Sequence, residues 1–225
     1  MVVDKVLAWF RQALQISINK NGWPETVPTF DNIDKNSSVG LAWFSDTILL
    51  FTREDTDECL RELLQTVEWL LFATINTPTT RIRAGIAYGD AFIDQKNAMY
   101  VGEPIIDAYL LEKQQQWSGA ALTKSASERV PELARKGGIP EWPILPYNVP
   151  LKNNKTFFTL AVNWTCGIHD QLPFYWLGKN EEPTSEDWLS RPSVCEKWQN
   201  TRQFHLDVCD QCREIWGIWG HHTGF

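Results

Sequence analysis

No run in the 225-residue chain approaches the roughly 20 apolar residues that span a bilayer; the longest candidate, Val67 to Ile75, is short and carries Glu68. The opening MVVDKVLAWF lacks the basic-then-apolar layout of a secretory signal, so the expectation is a cytoplasmic protein with no membrane insertion. An excess of positive charge is missing too. Lys and Arg number 21 against 28 Asp and Glu, a net charge of −7, which argues against a dedicated nucleic-acid binder. A nucleotide enzyme is not excluded, because metal ions mediate phosphate contacts. The five cysteines (Cys59, Cys166, Cys195, Cys209 and Cys212) are an odd number and read as reduced thiols, not as a disulfide framework. No internal repeat or low-complexity tract is present.

The composition, 43% apolar and 22% charged, supplies both a core and a soluble surface and excludes disorder. The length suits one domain, or one domain with an appendage. Twelve tryptophans, many beyond residue 140, give the two ends of the chain different characters. Apolar residues at three- and four-residue steps predict a helix from Val3 to Ile18, and a loop follows to Ser38. Val39 to Thr52 reads as a β-hairpin turning at Ser45 and Asp46. Asp55 to Thr74 reads as a helix capped by Asp55 or Thr56. Thr80 to Asp94 reads as a strand, a glycine bend and a second strand. A helix from about Pro104 to Trp117 follows, with Pro104 in its first turn. Ala121 to Thr123 reads as a short strand, Ser125 to Ala134 as a short helix, Phe157 to Trp164 as a buried strand, and Ser193 to Trp216 as a long helix. This order indicates an α+β sandwich with an antiparallel sheet and helices on one face.

Asp46 stands between two apolar runs, where a carboxylate costs free energy unless it is paired, hydrogen-bonded or metal-bound. Two readings follow: an aspartate favoured by a wet turn, or a ligand for Mg²⁺ or Mn²⁺ that leaves positions for phosphate.

The succession FSDTILLF, a helix, TRIRAGIAYGDAF and YVGEPIIDAYLLE resembles the class III nucleotide cyclase catalytic domain, over roughly Val3 to Thr165. In that family a hairpin carries a metal-binding aspartate, an R-x-G-I-x-x-G strand follows, and a G-x-x-V-N-x-A-x-R-x-E helix completes the order. The wording is most similar to the pyrimidine cyclases of bacterial anti-phage (Pycsar) systems, which make cyclic UMP or cyclic CMP to trigger a separate effector. The resemblance implies a ferredoxin-like cyclase sandwich over 1–165 and a Trp-rich helical extension over 166–225. It implies that Asp46 binds Mn²⁺ or Mg²⁺, that Arg83 and Lys152 act with it in catalysis, and that Gly85 and Gly89 are the family's glycines. Ser45 and Arg81 join the nucleotide site. Trp43 and Tyr100 are aromatics placed either to stack on a base or to pack in the core. The implied substrate is UTP or CTP. The implied assembly is a homodimer with its sites at the subunit interface, linked to a separate membrane effector that binds cyclic nucleotide.

Departures from the family pattern sharpen this expectation. The two purine-reading positions are Ala42 and Met99, neither of which offers a polar group, so a base other than a purine is expected. The helix asparagine and arginine of the family fall at Ile106 and Leu110. The family's first strand, with its first metal aspartate, has no counterpart beyond Asp4, and either a truncated reading or a natural variant accounts for that. Two other readings stand beside the enzyme: a cyclase-homology dimer that binds nucleotide or a partner without turnover, and an α+β interaction protein. In the tail, Cys195, His205, Cys209 and Cys212 give C-x9-H-x3-C-x2-C. Their surroundings read as continuous helix, which favours ordinary thiols over zinc knuckles. The late tryptophans are expected to dock this tail onto the core.

Overall fold

The computed structural model describes residues 38–44, 47–75, 81–136, 142–165 and 192–216, with the side chains at 43, 73 and 209–216 excepted. The expected helix from Val3 to Ile18 and its following loop, the hairpin tip at Ser45 and Asp46, and the segment 166–191 lie outside the described residues.

β1 (Val39–Phe44) and β2 (Thr47–Thr52) form the expected hairpin, in register from Val39 opposite Thr52 to Phe44 opposite Thr47. Gly40 lies beneath the Phe51 ring of the facing strand, where a methyl group would meet a ring carbon at 2.3 Å. α1 (Asp57–Ile75) follows, capped by Thr56, whose Oγ1 accepts a hydrogen bond from Cys59 N at 3.2 Å. Asp57 and Glu58 in its first turn complement the helix dipole. Leu64, Val67, Leu71 and Ile75 recur at the three- and four-residue steps of a buried stripe. The Ser38 hydroxyl donates to the Glu62 carboxylate and ties the start of the hairpin to this helix.

The next segment departs from expectation. β3 (Ala84–Ile86) does not pair with the strand that follows it. β4 (Phe92–Asp94) pairs instead with β5 (Met99–Val101) in a separate two-stranded ribbon. Asp94 explains the choice: its carboxylate accepts from Asn97 N at 3.1 Å and Asn97 Nδ2 at 2.7 Å, closing the turn locally. α2 (Glu103–Gln114) then starts on Pro104, and β6 (Ala120–Leu122) returns parallel to β3. The expected helix over Ser125 to Ala134 is two short ones, α3 (Lys124–Arg129) and α4 (Glu132–Arg135). Pro131 parts them by forcing Val130 into extended backbone, ψ 133°.

β7 (Ile144–Leu151) and β8 (Lys155–Val162) complete a four-stranded sheet of order β3-β6-β8-β7. The sheet is therefore mixed, not antiparallel, because β3 and β6 are joined by a connection that includes α2. Sequence reading missed β7 because its prolines look like loop punctuation. Pro150 O accepts from Gln116 N on the side away from β8, and a strand residue's N and O point the same way. Pro146 shares that parity, so neither proline removes a bond from the β7–β8 ladder. Thr159, Leu160, Ala161 and Val162 are all buried, and alternate side chains face opposite ways, so both faces of the sheet are covered here instead of the expected one.

α5 (Pro192–Trp216) docks on this core. Phe204 is fully buried, with ring centroids 4.8 Å from Trp117 and Tyr147 and 5.7 Å from Trp164. Of the tryptophans expected to dock the tail, Trp164 and Trp198 pack on this core with Phe204 as the central wedge, whereas Trp176, Trp188, Trp219 and the Trp216 side chain lie outside the described residues. Among the described residues no helix is long and apolar enough to cross a membrane.

A methyl group on Gly85 would lie 2.0 Å from Ala108 O of α2, so Gly85→Ala is expected to lose ~1–3 kcal/mol by forcing β3 and α2 apart, read from urea unfolding. Burial pushes the Glu68 carboxyl from its ordinary 4.5 up to about 8. Between those values the folded state holds a proton that the unfolded chain has lost, so stability falls as pH rises through the window. Glu68→Gln should flatten that fall in Tm measured from pH 5 to 8; an unchanged slope would show that another group causes it.

Candidate nucleotide cleft

β2 and the segment 81–89 both line one cleft of about 1480 Å³. Leu60, Leu63 and Val67 of α1 and Ile105, Ala108 and Tyr109 of α2 also line it. Among the described strands β2 pairs only with β1, and β3 only with β6.

Of the residues expected at a nucleotide site, Arg81, Arg83 and Tyr100 line this cleft together. Phe44 and Thr47, which flank Ser45 and Asp46 in the chain, line it as well. Ser45, Asp46 and the Trp43 side chain lie outside the described residues. Tyr100 packs edge-on against Phe44, ring centroids 4.8 Å apart. Ala42 is buried in the hairpin, whereas Met99, Ile106 and Leu110 are exposed.

The two arginines are held by the protein. Arg81 Nη1 donates to Thr74 O at 3.2 Å and its guanidinium sits 4.8 Å from the Trp198 ring centroid. Burial lowers its pKa to about 10. Arg83 Nη1 donates to Gln115 O at 3.0 Å and Nη2 lies 2.6 Å from Glu112 Oε1. Both precede β3; Arg81 turns toward the end of α1 and Trp198 of α5, and Arg83 toward the end of α2. Lys152 does not line the cleft. It stands exposed at the β7–β8 turn, where Asn153 and Asn154 take the left-handed conformation (φ 61° and 54°). Its backbone N donates to Gln114 O at 2.8 Å, one residue from the carbonyl that holds Arg83.

A network that sequence reading missed ties two parts of the cleft wall together. Tyr88 Oη donates to Asp55 Oδ2 at 2.7 Å, and Arg129 donates to Asp55 Oδ1 at 2.9 Å and to Asp57 Oδ1 at 2.7 Å. The Tyr88 and Arg129 bonds hold the Asp55 carboxyl below the usual carboxylate range, and Asp55 in turn raises the phenol of Tyr88. These residues come from three separate segments, so no spacing in the sequence signals them.

Asp46, the residue implied to hold the divalent ion, lies outside the described residues. Among the described residues no three His, Cys, Asp or Glu side chains gather as metal ligands. Asp55 is engaged by Tyr88 and Arg129, and Glu112 by Arg83. Of the tail motif, the Cys209 and Cys212 side chains lie outside the described residues. Cys195 and His205 are ten residues apart on α5, which at 1.5 Å per residue is roughly 15 Å. His205 is buried, with its ring stacked on Trp164.

Compared with protein-family models, curated proteins and solved structures, the chain matches none.

Arg83→Gln would leave Glu112 without its charged partner and Gln115 O without its donor, so a loss of ~1.5–3 kcal/mol is expected by urea unfolding. An arginine serving only a ligand would leave the unfolding midpoint of the ligand-free protein unchanged.

Proposed function

We propose that the protein is a pyrimidine nucleotide cyclase, converting UTP or CTP to its 3′,5′-cyclic monophosphate and pyrophosphate as the signal generator of an anti-phage system. The observation that supports this reading most is the gathering of Arg81, Arg83, Tyr100 and the flanks of Asp46 around one cleft. In the reaction the nucleotide's 3′-oxygen bonds to its own α-phosphorus and loses its proton, while the bond to the β-phosphate oxygen breaks and pyrophosphate leaves with the electron pair. The protein's contribution is to bring the 3′-oxygen and α-phosphorus together and to stabilise charge on the transferring group. In this reading Asp46 holds Mn²⁺ or Mg²⁺. The apolar Ala42 and Met99, unable to reward a purine edge, favour a pyrimidine.

A homodimer accords with the exposed apolar surface. Ile106, Tyr109 and Leu110 form one exposed face of α2, and Phe92, Met99 and Val101 face outward from the β4–β5 ribbon. A second copy covering this surface would complete the sites at the interface. The product would act on a separate membrane effector that binds cyclic nucleotide.

A second reading, a dimer that binds nucleotide without turnover, draws support from the engagement of Arg83 with Glu112 and Gln115. The deciding experiment incubates purified protein and Mn²⁺ with ATP, GTP, CTP and UTP separately, beside Asp46→Ala. Cyclic UMP or cyclic CMP is expected, and it should disappear in the variant. A purine product would overturn the base assignment. No product, with nucleotide still bound, would establish the second reading.

A further inference from the structure

Among the described residues the β1–β2 hairpin and the four-stranded sheet each have two outer edges. Two of these edges are blunted. Gln95 Nε2 donates to Leu41 O on the outer side of β1 at 2.7 Å. The outer side of β7 carries Pro146 and Pro150, which offer no N–H. The edges of β2 and β3 carry no such device: TILLFT and AGI contain neither proline nor charge.

Ladder geometry shows which backbone groups those bare edges present. Arg53 N donates to Ser38 O, so Phe51, Leu49 and Thr47, at the same parity, address β1. Ile48, Leu50 and Thr52 therefore turn their N–H and C=O groups the other way. On β3, Ala84 N donates to Gly119 O and Ile86 O accepts from Thr123 N, which turns Gly85 away from β6.

Both bare edges open on the cleft. Every residue from Thr47 to Thr52 and from Arg81 to Gly89 lines it, whereas a strand showing it one face would contribute alternate residues. Of β1 only Phe44 lines it, and of β6 no residue does. The cleft thus runs along the side of each strand that faces away from its partner. Leu63 and Val67 of α1 and Ala108 of α2 make part of its wall apolar. Its volume of about 1480 Å³ exceeds the roughly 300–1,000 Å³ of an ordinary small-molecule site.

We propose that the cleft is a strand-binding slot, and that its occupant is an extended segment of a separate polypeptide with apolar side chains at alternate positions. Backbone bonds to β2 on one side and to β3 on the other join the two sheets into one. The stretch ahead of Ser38 reads as a helix from Val3 to Ile18 and a loop, neither of which offers a strand, so the donor is assigned to another chain. The inference rests on ladder geometry and not on the cyclase reading.

The test is amide hydrogen exchange, read by NMR on the full chain, with and without a decapeptide selected from a display library of alternating apolar and polar residues. In the chain alone the Leu49 and Phe51 amides should exchange slowly and those of Ile48, Leu50, Thr52 and Gly85 fast. The selected peptide should slow these four about tenfold. The same peptide N-methylated at alternate residues keeps its side chains and should bind about tenfold more weakly. Ile48→Pro removes an outward N–H and no bond to β1; it should keep slow Leu49 and Phe51 amides and lose the peptide. Equal binding of the N-methylated peptide, binding without protection of the four amides, or a library that yields no binder would overturn the slot. Slow exchange at the four positions in the chain alone, constant or rising with protein concentration, would overturn the separate donor and assign the strand to this chain or to a second copy.

Discussion

The buried Gln115 side chain is the constraint on which much of the arrangement depends. It is fully inaccessible, and an amide in that position is costly unless every group is paired. Its Nε2 donates to Ala84 O of β3 at 2.9 Å, and its Oε1 accepts from Trp117 Nε1 at 2.6 Å. Its backbone carbonyl holds Arg83, and the residue bridges Leu151 at the end of β7. One residue therefore sets the end of α2 against both edge strands of the four-stranded sheet. A shift of any of these elements would strand a polar group without water, so the register is narrowly specified.

From that anchor the cleft and the α5 seam follow as two sides of one arrangement. Gly85 lets α2 lie directly against β3, which brings Ala108 and Tyr109 into the lining. The β1–β2 hairpin, which among the described residues pairs with no strand of the larger sheet, is held in part by the Asp55–Tyr88–Arg129 network and by the bond from Ser38 to Glu62 of α1. Among the described residues the cleft lies between two sheet units that side chains and helices join without ladder bonds. Such joins are weaker than a continuous ladder, and they leave room for a ligand.

α5 is bound to the core in two different ways. Phe204 fills the space among Trp117, Tyr147 and Trp164, which supplies apolar burial. Glu196, Asn200 and Thr201 make directed bonds to the turn after α2, which fix the helix's rotation about its own axis. The second set sets which face of α5 meets the turn, and apolar packing alone would not determine that.

The chain's local chemistry determined the β1–β2 hairpin, α1 with its Thr56 cap, the Pro104 start of α2, and α5. Each rests on residues within about four positions of one another, where periodicity and capping act. The resemblance to a known family placed Arg81, Arg83 and Tyr100 among the residues to watch, and they do line one cleft. Tertiary structure alone decided that β4 leaves β3 for β5, that β7 tolerates its prolines by turning them to the open edge, and that β3 runs parallel to β6. It also decided that Arg83 serves Gln115, 32 residues away. That partnership leaves no trace in spacing, because a side chain's partner is set by which segments packing brings together, and packing minimises buried polar and apolar cost over the whole chain at once.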